Sequence, residues 1–125
     1  VLFVNEAEVS AMTGEEVWRE AAMVLASRVA TLVVKRGRDG AVAFRQGTTW
    51  EHPGFAVEAV DPTGAGDAFD AGFLFGWLAG WPAPACLLWG NACGALTVGC
   101  PGGSGAFASR AEVEAFIGRG SGIGK

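Results

Sequence analysis

The chain has 125 residues, 50% of them hydrophobic and 18% charged, which supplies the core of one domain and argues against a disordered segment. Its formal net charge is −4 and its nine basic residues are scattered rather than clustered, which speaks against a nucleic-acid partner. No apolar run reaches the ~18 residues that span a bilayer and no basic-then-apolar leader opens the chain, so the expectation is a cytoplasmic protein with no membrane partner.

Val1 to Val4 is a continuous apolar run, the pattern of an interior parallel strand, and it delivers the chain to Asn5-Glu6-Ala7-Glu8. Asparagine before an acidic turn is what a capped helix start looks like. There is no initiator methionine, and a strand already in progress at Val1 reads as a fragment of a longer protein. Thr13-Gly14-Glu15-Glu16 has capping-box spacing, and Val17, Ala21, Val24 and Leu25 then recur at helical intervals, as in a helix laid on a sheet. Ala30 to Lys35 is the next strand, ending in the turn Lys35-Arg36-Gly37-Arg38-Asp39-Gly40. By residue type that turn is either a solvated basic turn or a phosphate contact. Gly40 to Arg45 and Thr48 to His52 read as a hairpin about Gln46-Gly47, and Phe55 to Val60 alternates like a strand running into Asp61.

Asp61-Pro62-Thr63-Gly64-Ala65-Gly66-Asp67 is the centre of the chain, a glycine turn followed at once by the helical run Ala68 to Gly80. Two glycines around a small residue let successive N–H groups point at one spot, and the helix adds the positive end of its dipole, so the turn suits phosphate. Asp67 in the first turn can accept a proton from a hydroxyl attacking a phosphoryl group. The run from Ala68 to Gly80 is apolar almost all round and is expected to be buried on most sides. A second apolar helix runs from about Pro84 to Val98 with Asn91 as its strongly polar residue. A glycine-rich loop, Gly99 to Gly105, follows. Ser109-Arg110-Ala111-Glu112 has capping spacing for a last short helix through Ile117, and Gly118 to Lys125 reads as a frayed tail. Cys86, Cys93 and Cys100 look like small core residues, and the single histidine, His52, offers them no zinc partner.

Asp61 to Asp67, continued by Ala68-Phe69 and Ala71-Gly72-Phe73, resembles the second signature of the ribokinase-like (PfkB) family of carbohydrate kinases. Asn5 to Glu8 resembles that family's N-x-x-E, Lys35 to Gly40 its strand followed by x-G-x-x-G, and Asn91 to Leu96 its N-A-x-G-A-L, in the family's order. The resemblance implies an α/β fold: the C-terminal portion, residues 1–117, of a ribokinase-like αβα sandwich, with a flexible tail at 118–125. The N-terminal substrate-binding half and the lid are missing from it.

The activity implied is ATP-dependent phosphotransfer to a hydroxyl of a sugar or nucleoside. Asp67 would be the general base, with the Gly64, Ala65 and Gly66 amides as the anion hole. Asn5 and Glu8 would organise magnesium and phosphate through water, and Lys35, Gly37 and Gly40 would approach the nucleotide phosphates. Many members have threonine where this chain has Lys35. Asn91 would face the adenine pocket, or else be a core asparagine bonded to neighbouring backbone. Asp61 and Thr63, with carbonyls of the Gly99 to Gly105 loop, would hold a potassium ion; as a turn residue Asp61 would instead bond its own backbone. The alternative function is a catalytically incomplete nucleotide-binding fragment or half of a split kinase. A missing half would expose apolar surface that favours a homo-oligomer.

Overall fold

The structure, a computed structural model, describes residues 1–56, 64–98 and 109–121. It divides into two compact units, Val1–Pro53 and Gly54–Lys125.

The first unit is a four-stranded sheet with two helices. Strand β1 (Leu2–Asn5) is followed by α1 (Glu6–Thr13) and α2 (Trp18–Ala26). Then come β2 (Thr31–Lys35), a single 3₁₀ turn at Gly37–Asp39, β3 (Ala41–Arg45) and β4 (Thr48–His52). The sheet order is β1-β2-β3-β4, with β1 parallel to β2 and the other pairs antiparallel. A parallel pair needs a long crossover, which α1 and α2 supply. Between β3 and β4 the loop is two residues, Gln46 at φ 50° and Gly47 at φ 80°. Both lie in the left-handed region whose twist suits a tight hairpin. Val4, Leu32, Val34, Val42 and Phe44 from one face of the sheet meet Val9 of α1 and Ala21, Ala22 and Leu25 of α2 in a buried core.

One local expectation is corrected here. Thr13 closes α1 rather than opening α2: its Oγ1 donates to the Val9 carbonyl at 3.0 Å and accepts from the Glu15 N–H at 3.2 Å. Gly14 takes the left-handed C-cap at φ 82°, its N–H donating to the Ser10 carbonyl. Helix α2 begins from Val17 with no side-chain cap. Thr-Gly is as good a helix stop as Thr-x-x-Glu is a start, and the glycine decides between them.

The regular elements described in the second unit are three helices, α3 (Ala65–Leu78), α4 (Ala83–Val98) and α5 (Arg110–Ser121), and Phe55 and Ala56 of the expected strand belong to no regular element. Helices α3 and α4 approach closely because glycines stand at the crossing. A Cβ on Gly72 would lie 2.7 Å from both the Trp89 carbonyl oxygen and the Cys93 Sγ, and one on Gly90 would lie 2.9 Å from the Phe69 ring. Phe73 is fully buried beside them. The expectation that α3 is buried on most sides is only half met, since Ala68, Phe69, Gly72, Phe73 and Gly76 are buried while Leu78 is 84% exposed and Phe75 43%. Among the described residues of this unit, α4 packs most extensively on α3, and the Arg110 guanidinium of α5 lies 5.6 Å from the Phe75 ring centroid. Helix α5 runs on to Ser121, past the point where the tail was expected. Residues 57–60 of the expected Phe55 to Val60 strand, and the Gly99 to Gly105 loop, lie outside the described residues.

Candidate functional site

The start of α3 is built by Gly64, whose φ of 80° and ψ of −4° place it in the left-handed region as N-cap. A glycine there carries no side chain that could cap, and among the described residues no side-chain hydrogen bond closes this end. The first intrahelical bond runs from the Ala68 N–H to the Gly64 carbonyl at 2.9 Å. The N–H groups of Gly64, Ala65, Gly66 and Asp67 therefore have no intrahelical acceptor and carry the positive end of a four-turn dipole. Gly64, Gly66 and Asp67 are exposed. Helices α1 and α5 are closed quite differently. In each a reciprocal box joins N-cap and third residue: Asn5 with Glu8 at 2.8 and 2.7 Å, Ser109 with Glu112 at 2.9 and 3.2 Å. The bonds from Ser109 hold the Glu112 carboxyl below its ordinary pKa. An open helix end with an aspartate in its first turn can receive an anion and hold a base beside it.

A second group of candidate residues gathers in the first unit, at the carboxyl ends of β1 and β2, where open α/β sheets carry their ligands. Asn5 and Lys35 are register partners at the last position of the two strands. The Asn5 side chain accepts from the Glu8 N–H, and Glu8 Oε1 accepts from the Asn5 N–H, so the carboxylate is held at the helix start while remaining exposed. Beyond Lys35 the chain turns through Gly37 at φ 58° and Gly40 at φ 92°, conformations that favour glycine. The turn is closed by the Arg36 N–H donating to the Gly40 carbonyl at 2.8 Å and the Asp39 N–H donating to the Arg36 carbonyl at 3.0 Å.

Sequence reasoning missed the pair that joins this turn to α1: Arg36 Nε donates to Glu6 Oε2 at 2.8 Å. Nothing in the sequence links two residues thirty positions apart. The register of Asn5 with Lys35, one residue earlier on each strand, is the signal that makes the pairing intelligible.

Asn91 is buried in α4, its Nδ2 donating to the Leu87 carbonyl at 2.8 Å within its own helix. Asp61 and Thr63 lie outside the described residues. Burial pushes the Cys86 and Cys93 thiols above their ordinary pKa, as expected of core thiols. Among the described residues no three His, Cys, Asp or Glu side chains gather as a metal cluster. A magnesium ion bound chiefly through nucleotide phosphates needs only one or two carboxylates, and the exposed, oriented Glu8 fits that requirement. The uncapped N–H groups of α3 fit a phosphate. No helix among the described residues is long and apolar enough to cross a membrane.

Residues 1–110 match the family described as pfkB family carbohydrate kinase. The chain is 41% identical to an ATP-dependent ribose-1-phosphate kinase from Halopiger xanaduensis over 117 residues, 94% of this chain and 38% of that protein. Among solved structures it is similar to a putative ribokinase II from E. coli in complex with ATP and Mg²⁺, with a TM-score of 0.87 and 32% identity, covering 94% of this chain and 39% of that one. A fructokinase double mutant from Vibrio cholerae, in a form with fructose, ADP and potassium ion bound, has a TM-score of 0.84 at 28% identity, covering 93% of this chain and 40% of that one. The chain thus spans about two-fifths of the length of the relatives it matches.

Proposed function

The chain belongs to the pfkB family of carbohydrate kinases and has a ribokinase-like fold, and we propose that it is the nucleotide-handling and catalytic part of an ATP-dependent kinase whose acceptor is a hydroxyl of a sugar or nucleoside. The observation that carries this reading is the start of α3, a glycine-capped helix end with four N–H groups lacking intrahelical acceptors and Asp67 in the same turn.

The Asp67 carboxylate takes the proton of the acceptor hydroxyl as its oxygen bonds to the γ-phosphorus and the bond to the β–γ bridging oxygen breaks, releasing ADP. The N–H groups of Gly64, Ala65 and Gly66 are aimed where negative charge is redistributed on the phosphoryl oxygens. Fixed dipoles of this kind need no reorganisation as the charge develops. Glu8 holds its carboxylate for a magnesium ion, which when bound supplies charge neutralisation on the nucleotide phosphates. Lys35 and the Gly37 to Gly40 turn would approach nucleotide phosphates, while Asn91, buried and bonded to the Leu87 carbonyl, fits the alternative of a core asparagine. Asp61 and Thr63 would hold a potassium ion. That ion would raise turnover more than affinity, a rise that should shrink in Asp61→Ala and that a rate indifferent to potassium would refute.

The test is Asp67→Asn in the full-length protein that contains this chain, assayed for phosphate transfer from ATP across a panel of sugars and nucleosides. Turnover should fall by about 10²–10⁴-fold with nucleotide affinity little changed. Near-normal turnover in that variant removes Asp67 from the mechanism. A second reading is a nucleotide-binding piece without turnover of its own. Phosphate transfer by the isolated 125-residue chain would exclude it.

A further inference from the structure

Two guanidinium groups lie over the Trp18 ring, that of Arg19 at 4.5 Å and that of Arg36 at 4.7 Å from its centroid. Each is tied by a carboxylate from another element: Arg19 by Glu51 of β4 at 3.1 and 3.4 Å, and Arg36 by Glu6 of α1 at 2.8 Å. The two pairs differ in what they hold. Arg19 is a half-exposed side chain joining α2 to β4, and its pair with Glu51 is a surface contact. Arg36 is more covered, 23% exposed against 39% for Glu6, and its own backbone closes the turn that contains Gly37 and Gly40. One residue thus shapes the turn with its main chain and pins it to the first residue of α1 with its side chain.

A turn with two left-handed glycines is inherently loose, and a loose turn must be ordered when a ligand binds to it. Glu6 lies between Asn5 and Glu8, whose reciprocal cap fixes the start of α1. Linking Arg36 to Glu6 therefore sets the Gly37 to Gly40 turn and the Asn5 to Glu8 segment in one geometry before any nucleotide arrives. Because the Arg36 guanidinium is already engaged by Glu6 and Trp18, its role differs from that of a phosphate ligand.

We propose that Glu6 and Arg36, braced by Trp18, are positioning residues that preorganise the nucleotide-phosphate turn. The proposal rests on the kinase reading above and adds two residues to it. Its opposite is specific: if Arg36 were itself a phosphate ligand held in reserve by Glu6, removing the Glu6 charge would release it and tighten nucleotide binding. The two ideas predict opposite signs for Glu6→Gln.

The experiment uses the full-length protein and the variants Glu6→Gln, Arg36→Met, Arg36→Lys and the double Glu6→Gln/Arg36→Met. MgADP affinity is measured by calorimetry, KM for ATP and for the acceptor by kinetics, and backbone exchange of the Asp39 and Gly40 N–H groups by NMR. Glu6→Gln and Arg36→Met should each weaken MgADP and raise KM for ATP by roughly tenfold, the scale on which lost preorganisation shows itself, with KM for the acceptor unchanged. The double variant should be no worse than either single one, because both remove the same link. Arg36→Lys keeps the charge and loses the guanidinium over Trp18, so it should recover part of the loss. Exchange at Asp39 and Gly40 should quicken in Glu6→Gln even without nucleotide. Tighter MgADP binding in Glu6→Gln, or unaltered affinity and exchange in an active enzyme, overturns the proposal. A parent protein that binds no MgADP overturns the kinase reading itself, while quickened exchange in Glu6→Gln would still uphold the mechanical link between turn and helix.

Discussion

Asn5 and Glu8 hold each other: the side chain of each accepts the backbone N–H of the other, at 2.7 and 2.8 Å. The cap and the proposed magnesium carboxylate are therefore the same group, and the two duties separate by chemistry. Glutamine at position 8 can still accept from the Asn5 N–H, as capping boxes with Gln do, but brings no charge. Glu8→Gln should leave the urea midpoint nearly unchanged while raising the magnesium concentration needed for half-maximal rate. Asn5→Ala should instead cost about 1 kcal/mol of stability, the usual worth of an N-cap side chain. A Glu8→Gln protein with unaltered magnesium dependence would leave Glu8 as a cap and nothing more.

His52 ends β4 opposite Ala41, and burial lowers its pKa below the ordinary 6.5. The folded state then binds the proton less tightly than the unfolded chain does. Stability from this site is present above about 6.5 and is lost as pH falls through the folded-state pKa. Between about pH 7.5 and about pH 5.5 the wild-type protein should lose more urea stability than His52→Gln, which does not titrate, and the difference should be modest because His52 is only half buried. Parallel losses in the two proteins would assign the pH dependence to other groups.

The α3–α4 crossing makes a mutational contrast within one residue type. Gly72→Ala sets a methyl 2.7 Å from a carbonyl oxygen that belongs to a helix backbone and cannot move aside cheaply. A destabilisation of about 1–3 kcal/mol is the usual result of such overpacking. Gly118→Ala places its methyl in open space on α5, where alanine is the better helix former by up to about 1 kcal/mol. Thermal unfolding should move down for the first and level or up for the second. Equal shifts would mean that the helices separate more easily than their spacing implies.

Much of this architecture is legible in the sequence because it depends on short-range rules. Alternation and apolar runs locate β1 to β4, Gln46-Gly47 marks the hairpin, and Ser109 with Glu112 announces α5. What escapes depends on relations between distant residues. Thr13 shows capping spacing in both directions, and only the left-handed Gly14 reveals that it closes α1. Phe75 and Leu78 read as core by composition, whereas exposure depends on which neighbours cover α3. The Arg36–Glu6 pair depends on strand register, which no local pattern encodes. At the candidate site the glycine turn is legible as an open helix end because Gly64 and Gly66 leave no side chain to close it.

Gly66 separates function from folding more cleanly than any other position in the turn. It stands inside the first turn of α3, where the backbone is helical, so no left-handed conformation requires a glycine as it does at Gly64. It is also exposed. On stability grounds alanine is preferred there, since glycine in a helix is less favourable by up to about 1 kcal/mol. A glycine kept at a site that folds better without it is explained by something that must come close to its backbone, and a phosphoryl group on the N–H groups of α3 is such a thing. Gly66→Ala keeps its N–H but sets a methyl beside it, so it should hold or raise the melting temperature while lowering turnover, at most by the roughly 10²-fold that loss of one well-aimed donor costs. Gly64→Val should lose both stability and nucleotide affinity, because a branched side chain at φ 80° strains the cap as well as filling the approach. Full turnover in a Gly66→Ala protein of unimpaired stability would mean that no phosphate passes close to this turn, and the anion hole would have to be sought elsewhere.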